Sequence, residues 1–171
     1  KATVGKVRAV LTAFMSSSVP VFAAVGTIEP RKNYPMLLST FERLWRDGVA
    51  AHLVIAGRAT AEERDFVVRL GNHPEQGKRL LNLFDANDNE LRFLYTHARS
   101  LVLASLAEGF GLPLVEARMH GCLVIASDIA AFRELAEPGV SFFPAHSETE
   151  LAALISGMAH SRHMQRVRSG L

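Results

Sequence analysis

One cysteine, Cys122, stands in 171 residues. A disulfide framework is therefore excluded, and the composition suits a reducing compartment. Uninterrupted apolar runs of membrane-spanning length are also missing. The uncharged stretch from Ala9 to Ile28 follows Lys1, Lys6 and Arg8 and has the outward form of a signal peptide ending near Ala23-Ala24. Ser16-Ser17-Ser18 and Pro20 interrupt it, which speaks against a span. The expectation is a soluble, cytoplasmic chain, at most peripheral at the inner membrane face. Internal repeats and low-complexity tracts are lacking. So are several catalytic signatures. Gly71 to Lys78 is one residue too long for a P-loop, and Arg79 replaces the needed Ser or Thr. After Gly109 and Gly111 the third position of a dinucleotide fingerprint is Leu114, which argues against a nicotinamide enzyme. No Gly-x-Ser-x-Gly elbow occurs. His120 beside Cys122 has no matching ligand pair elsewhere, so no metal site is expected.

A one-signed charge excess in the body is absent as well. The formal charge is +2, but Lys1, Lys6, Arg8, Arg162, Arg166 and Arg168 lie at the ends. From Glu29 to Glu150, 13 basic residues face 17 acidic ones, a net of −4. A nucleic-acid-binding body carries a basic face instead, so that partner is not expected. The basic ends read as solvated tails or as a weak attraction to an anionic membrane surface.

What the chain does have is alternation. Nearly half of it is hydrophobic (49%), enough for a sheet covered on both faces and a core without staples. Val21–Val25 reads as a first buried strand and Tyr34–Arg46 as an amphipathic helix carrying Leu37, Leu38, Phe41, Leu44 and Trp45 on one side. Strands follow at 52–56, 80–84, 100–104, 123–126 and 140–143. Helices are expected at 61–70, 87–97, after Pro113, around 130–136 and at 148–160. Thr60 with Glu63 is read as a capping box, and Asn87 to Glu90 as helix-start chemistry. The pattern predicts an α/β fold, a doubly wound, parallel, six-stranded Rossmann-like sheet that binds ligands beyond the carboxyl ends of its strands. Residues 1–20 are expected to be a linker or partly ordered segment, 21–160 the domain, and 161–171 a basic tail.

Two turns at that edge carry the chemistry. The first, Gly26-Thr27-Ile28-Glu29-Pro30-Arg31-Lys32-Asn33, brings a glycine and a basic pair after strand one. Arg31 and Lys32 read either as exposed charges at the start of a helix or, the favoured reading, as a phosphate contact, Arg31 bidentate and Lys32 as a point charge, with Gly26 suited to a close backbone approach. The second, Glu108-Gly109-Phe110-Gly111-Leu112-Pro113-Leu114-Val115-Glu116, joins strand four to a helix that Pro113 starts and Gly121 stops. Its leading N–H groups and helix dipole suit an anion, with Glu108 at one rim and Glu116 a turn into the helix. On residues alone, a plain tight turn with solvated glutamates competes with this reading. A paired-carboxylate glycosidase fits less well, since such pairs come from separate segments.

The Glu108-x7-Glu116 stretch resembles the Glu-x7-Glu motif of retaining glycosyltransferases of family GT4, which have the two-domain GT-B fold. Val25 to Asn33, Leu53 to Gly57, Gly121 to Ser127 and Phe132 to Leu135 are similar to further segments of the same donor-binding, C-terminal domain. The resemblance spans most of 21–154. Departures occur at Cys122-Leu123, at Arg133 and around Leu83 to Ala86, the last in a region often near the nucleotide base. The resemblance implies the nucleotide-sugar domain of a retaining, metal-independent enzyme that transfers a hexose from a UDP- or GDP-sugar to a saccharide or lipid-linked acceptor. It implies catalytic roles for Glu108, Arg31 and Lys32. Gly26, Gly109, Phe110, Gly111, Leu112 and Glu116 would bind the donor, with Glu116 on the ribose and Glu108 on the sugar. It also implies an N-terminal acceptor domain outside these 171 residues. Without that domain, no transfer is expected from this stretch alone. A non-catalytic nucleotide-binding module and a sugar-nucleotide epimerase share the architecture and are the alternatives.

Overall fold

The computed structural model describes residues 6–161. Six strands form one parallel sheet in the order β3-β2-β1-β4-β5-β6. They are β1 (Val21–Val25), β2 (His52–Ala56), β3 (Leu80–Leu83), β4 (Ser100–Leu103), β5 (Val124–Ser127) and β6 (Val140–Phe143). The helices are α1 (Ala9–Met15), α2 (Tyr34–Arg46), α3 (Arg64–Gly71), α4 (Asp88–His97), α5 (Leu112–Met119), α6 (Ala130–Glu134) and α7 (Glu148–His160). The doubly wound sheet is as the sequence predicts. The ends of strands three to five differ by one residue, which is how far such boundaries ordinarily shift.

The apolar runs are buried on both faces because the central strands divide their side chains between two cores. Phe22 and Ala24 join Phe41, Trp45, Ile55 and Ile155 on one face. Val21, Ala23 and Val25 join Leu11, Leu94, Leu101, Leu114 and Phe132 on the other. β1 pairs with β2 on one side and β4 on the other. The strand order therefore reverses direction between β1 and β4, and their outgoing turns open a crevice at the carboxyl edge. The two predicted turns are those two.

Two local expectations turn out differently. Thr60 makes no side-chain cap; a 3-10 turn, Ala61–Glu63, precedes α3 instead. The Thr60 N–H donates to the Ile28 carbonyl at 2.9 Å, because 58–60 continues the pairing of β1 with β2, and its hydroxyl is left buried without a partner. The chain's capping box lies at α4, where Asn87 Oδ1 accepts from the N–H groups of Asn89 and Glu90 and the Glu90 carboxylate accepts from the Asn87 N–H. Asn87→Ala is expected to cost about 1–2 kcal/mol in urea denaturation, and Asn87→Ser to recover most of it.

Residues 1–20, expected as a linker or partly ordered segment, include α1, which buries Leu11 and Phe14 against the body. Arg8 fixes its start. Its Nε and Nη2 donate to the two oxygens of Glu90 at 2.7 and 2.8 Å, and Nη1 donates to Asp85 at 2.8 Å. Glu90 is fully buried, and the hydrogen bond from Arg8 overcomes its burial to hold the carboxyl below the usual range. The basic tail expected at 161–171 lies, from residue 162, outside the described residues. Among the described residues no helix is long and apolar enough to cross a membrane.

Candidate functional site

The turn after β1 is shaped by two glycines. Gly26 has φ +140, a backbone conformation that L side chains rarely adopt, and its carbonyl accepts from the buried Tyr34 hydroxyl at 2.9 Å. Gly57, at the end of β2, lies against it so closely that a Cβ there would sit 1.9 Å from the Gly26 oxygen. The chain then runs through a 3-10 turn, Pro30–Lys32, whose proline occupies the start where no N–H is needed. Asn33, at φ 56, redirects it into α2. That turn swings Arg31 and Lys32 back over the edge of β4.

There they meet the second turn. The Leu106 N–H donates to the Arg31 carbonyl at 2.7 Å, which ties the two turns together. Lys32 Nζ and Ser105 Oγ both donate to Glu108 Oε1, Ser105 at 2.7 Å. Arg31 Nη1 donates to Glu108 Oε2 at 3.1 Å and to the Ala107 carbonyl at 3.2 Å. Arg31 Nη2 pairs with Glu29 at 2.7 Å. The Lys32 and Glu108 side chains are only 9% and 5% exposed, whereas Arg31 is 44% exposed. Burial would raise the Glu108 carboxyl, but the hydrogen bonds from Lys32 and Ser105 and the Lys32 charge outweigh it and hold the group below the ordinary carboxylate range. Burial pushes the Tyr34 hydroxyl well up, and the charges of Glu108 and Glu29 add to the effect. Tyr34 therefore stays a neutral donor. Beneath the cluster, Ser127 Oγ donates to the Ser105 carbonyl, so β5 also holds the support of Glu108.

α5 begins at the other rim. Gly111 is its left-handed N-cap residue at φ +64, packed under Leu135 and Phe132. Pro113 falls at the second helical position rather than the first. In the opening turn Pro113 has no N–H and that of Leu114 donates to the Gly111 carbonyl at 3.0 Å, which leaves the N–H of Leu112 for an outside acceptor. A Cβ on Gly109 would meet no protein atom within 4 Å, so packing alone does not require glycine there. Phe110 and Leu112 beside it are exposed. Glu116 is not part of the cationic cluster. It is exposed on α5, and its Oε2 accepts from the Tyr95 hydroxyl of α4 at 2.8 Å.

Arg31, Lys32 and Glu108, 76 or 77 residues apart in the chain, thus meet in one cluster, with Gly26 close by. Gly109 to Leu112 form the opposite lip. Sequence reasoning missed Ser105, Tyr34, Tyr95 and the partnership of Glu29 with Arg31. It named Gly57 only as the last residue of the stretch Leu53 to Gly57. The serine three residues before Glu108 was the one local signal available; the other partners are set by which segments the sheet brings together. The crevice is open. A hollow of about 350 Å³, lined by Ser17, Arg99 and Leu123 among others, lies at the opposite, amino edge of the sheet. Among the described residues no three His, Cys, Asp or Glu side chains converge as metal ligands.

Comparison with known proteins agrees with the fold. Residues 15–169 match the family model described as "Glycosyl transferases group 1". The chain is 37% identical over 139 residues to the serotype-specific mannosyltransferase WbdA of Escherichia coli, which covers 81% of this chain but 17% of that protein. It therefore spans less than a fifth of that relative's length. The C-terminal domain of the glycosyl transferase group 1 family protein LpcC from Francisella tularensis superimposes with a TM-score of 0.71 at 24% identity, over 86% of this chain and 80% of that one. Anabaena HepE, solved in complex with UDP and glucose, superimposes with a TM-score of 0.69 at 23% identity, over 82% of this chain and 38% of that one.

Proposed function

This chain belongs to the glycosyl transferases group 1 family, and we propose that it is the nucleotide-sugar domain of a retaining, metal-independent hexosyltransferase. The observation that carries the reading is the convergence of Arg31, Lys32 and Glu108 at the switch point of the sheet, facing a glycine turn and a helix N-terminus. Arg31 and Lys32 meet the diphosphate and stabilise the charge that develops on it as the glycosidic bond breaks. They take the place of a divalent cation. Each retains N–H donors beyond those given to Glu108, so phosphate oxygens can be met without first dismantling the cluster. Gly109 leaves room for the donor, and the N–H groups of Phe110, Gly111 and Leu112 receive sugar or phosphate oxygens. Glu116 accepts from the ribose hydroxyls while Tyr95 steadies its other side. Glu108 offers its Oε2, which among the described residues only Arg31 occupies, to the hydroxyls of the sugar.

HepE, which shares this fold, was solved with UDP and glucose, and that likeness supports a nucleotide-sugar as the ligand to test. The WbdA likeness makes mannose the first hexose to test, with a saccharide or lipid-linked acceptor. The acceptor is held by a separate N-terminal domain, so transfer by these 171 residues alone should be undetectable.

The test is calorimetry with UDP, GDP, ADP and their hexose derivatives, with and without EDTA. EDTA should leave binding unchanged; a need for Mg²⁺ or Mn²⁺ would sink the metal-free assignment. Glu116→Ala should weaken bare diphosphate binding about ten- to a hundredfold, the loss of a charged hydrogen-bond partner. Glu108→Gln should weaken only the sugar-bearing donor. Equal effects of both variants on the bare diphosphate would show that the division of roles is wrong.

A further inference from the structure

We propose that Glu29 is a charge-balancing residue, which weakens the hold of Arg31 on the departing nucleoside diphosphate and so sets how readily that product leaves. The inference rests on the donor-site reading above.

Glu29 lies at the start of the 3-10 turn but makes no side-chain cap there. Its carboxylate instead meets Arg31 Nη2 at 2.7 Å, closer than Glu108 meets Nη1 at 3.1 Å. Arg31 does not need this contact for its placement. Its carbonyl is bound by the Leu106 N–H, and its Nη1 by Ala107 and Glu108. With Arg31 44% exposed, such a pair adds little to stability. A carboxylate that neither caps nor stabilises, set beside an anion site, competes with the incoming anion for the same cation.

The charge count gives this a consequence. Arg31 and Lys32 supply two positive charges, and Glu108 and Glu29 two negative ones. The empty cluster is neutral. A free nucleoside diphosphate ends in a phosphate monoester with a second pKa of about 6, so near neutrality it carries roughly one more negative charge than the sugar-bearing donor. A site with one more positive charge would favour product over donor. Glu29 keeps the site from gaining that charge.

Glu29→Gln removes the charge while keeping an oxygen for Arg31. The experiment is calorimetry on the wild-type chain and the variant with GDP, UDP and the corresponding hexose donors, at low and moderate salt. The bare diphosphates should bind about three- to tenfold more tightly, the donors should gain less, and the salt dependence should steepen. Glu29→Ala should behave alike, with melting unchanged in both variants. Unchanged or weaker diphosphate binding would overturn the proposal and make Glu29 a positioning residue for Arg31. A loss confined to the hexose donors would overturn it in favour of a sugar contact. If the wild type binds no diphosphate, the donor-site reading itself fails and the proposal falls with it; if only the variants depart from expectation, that reading stands.

Discussion

Lys32→Met is expected to cost about 3 kcal/mol of stability and to weaken diphosphate binding at least about a hundredfold. The binding loss follows from removal of the cation, and the stability loss from the burial of its partner. The Lys32 and Glu108 side chains are almost wholly withdrawn from water, and removing one member of such a pair strands the other's charge in a poorly solvated place. The cost sits at the low end for a stranded charge because Ser105 and Arg31 still serve the Glu108 carboxylate. The exposed pair of Arg133 with Asp128 has shorter contacts than the Arg31–Glu108 pair yet should matter far less, since water screens it. The double variant Lys32→Met/Glu108→Gln separates the two consequences. It removes the stranded charge, so most of the stability should return in urea denaturation, while calorimetry should still find diphosphate binding lost. A double variant no more stable than the single one would mean that Lys32 contributes by packing rather than charge. Retained binding would remove Lys32 from the diphosphate site.

Gly57→Ala should be about as damaging from a position that bears no functional group. An added methyl would lie 1.9 Å from the Gly26 oxygen and 2.7 Å from its carbonyl carbon. Those are backbone atoms, so relief requires the turn after β1 to move. Gly26 is held there by its N–H bond to the Ala56 carbonyl and by the Tyr34 hydroxyl. Forced overpacking of this kind costs about 3 kcal/mol. The displaced turn is the one that presents Arg31 and Lys32, so diphosphate affinity should fall about tenfold or more even where the variant is folded. Gly109→Ala is the matched control. It meets no protein atom, so its melting should match the wild type, and any loss of binding reports the ligand alone. A Gly57→Ala chain of unchanged stability and affinity would show that the turn is not as tightly held as its contacts imply.

The strands and the amphipathic helices were legible because burial on both faces leaves unbroken apolar runs, as in Val21–Val25, and burial on one face leaves a stripe, as in Tyr34–Arg46. The two candidate turns were legible because glycine and proline mark places where backbone geometry overrides side-chain preference. The Asn87 cap could be read because all its partners lie within three residues. Thr60 has the same local signal, but the pairing of 58–60 alongside Ile28 decides its conformation, and no local window contains that information. For the same reason the partners of the candidate site groups escaped notice. The contact of Tyr95 with Glu116 and that of Gly57 with Gly26 link segments that only the sheet order brings together. Glu29 stands two residues from Arg31, but the adjacency says nothing of whether the side chains turn toward each other. Roles that the resemblance gives to Glu108 and Glu116 name the groups without naming what holds them.

The seating of α1 bears on how this domain could be moved into another protein. A swap made at residue 20, where the sheet begins, would leave behind the helix whose Leu11 and Phe14 fill one face of the core. It would also leave behind Arg8, the only side-chain cation hydrogen-bonded to the buried Glu90 among the described residues. The transplanted sheet would then carry an empty apolar seat and an unanswered carboxylate at the head of α4. The unit that can be moved between hosts therefore includes Lys6 to Pro20 together with the sheet. A recombinant whose seam falls before Arg8 keeps its own plug, whatever domain it is joined to.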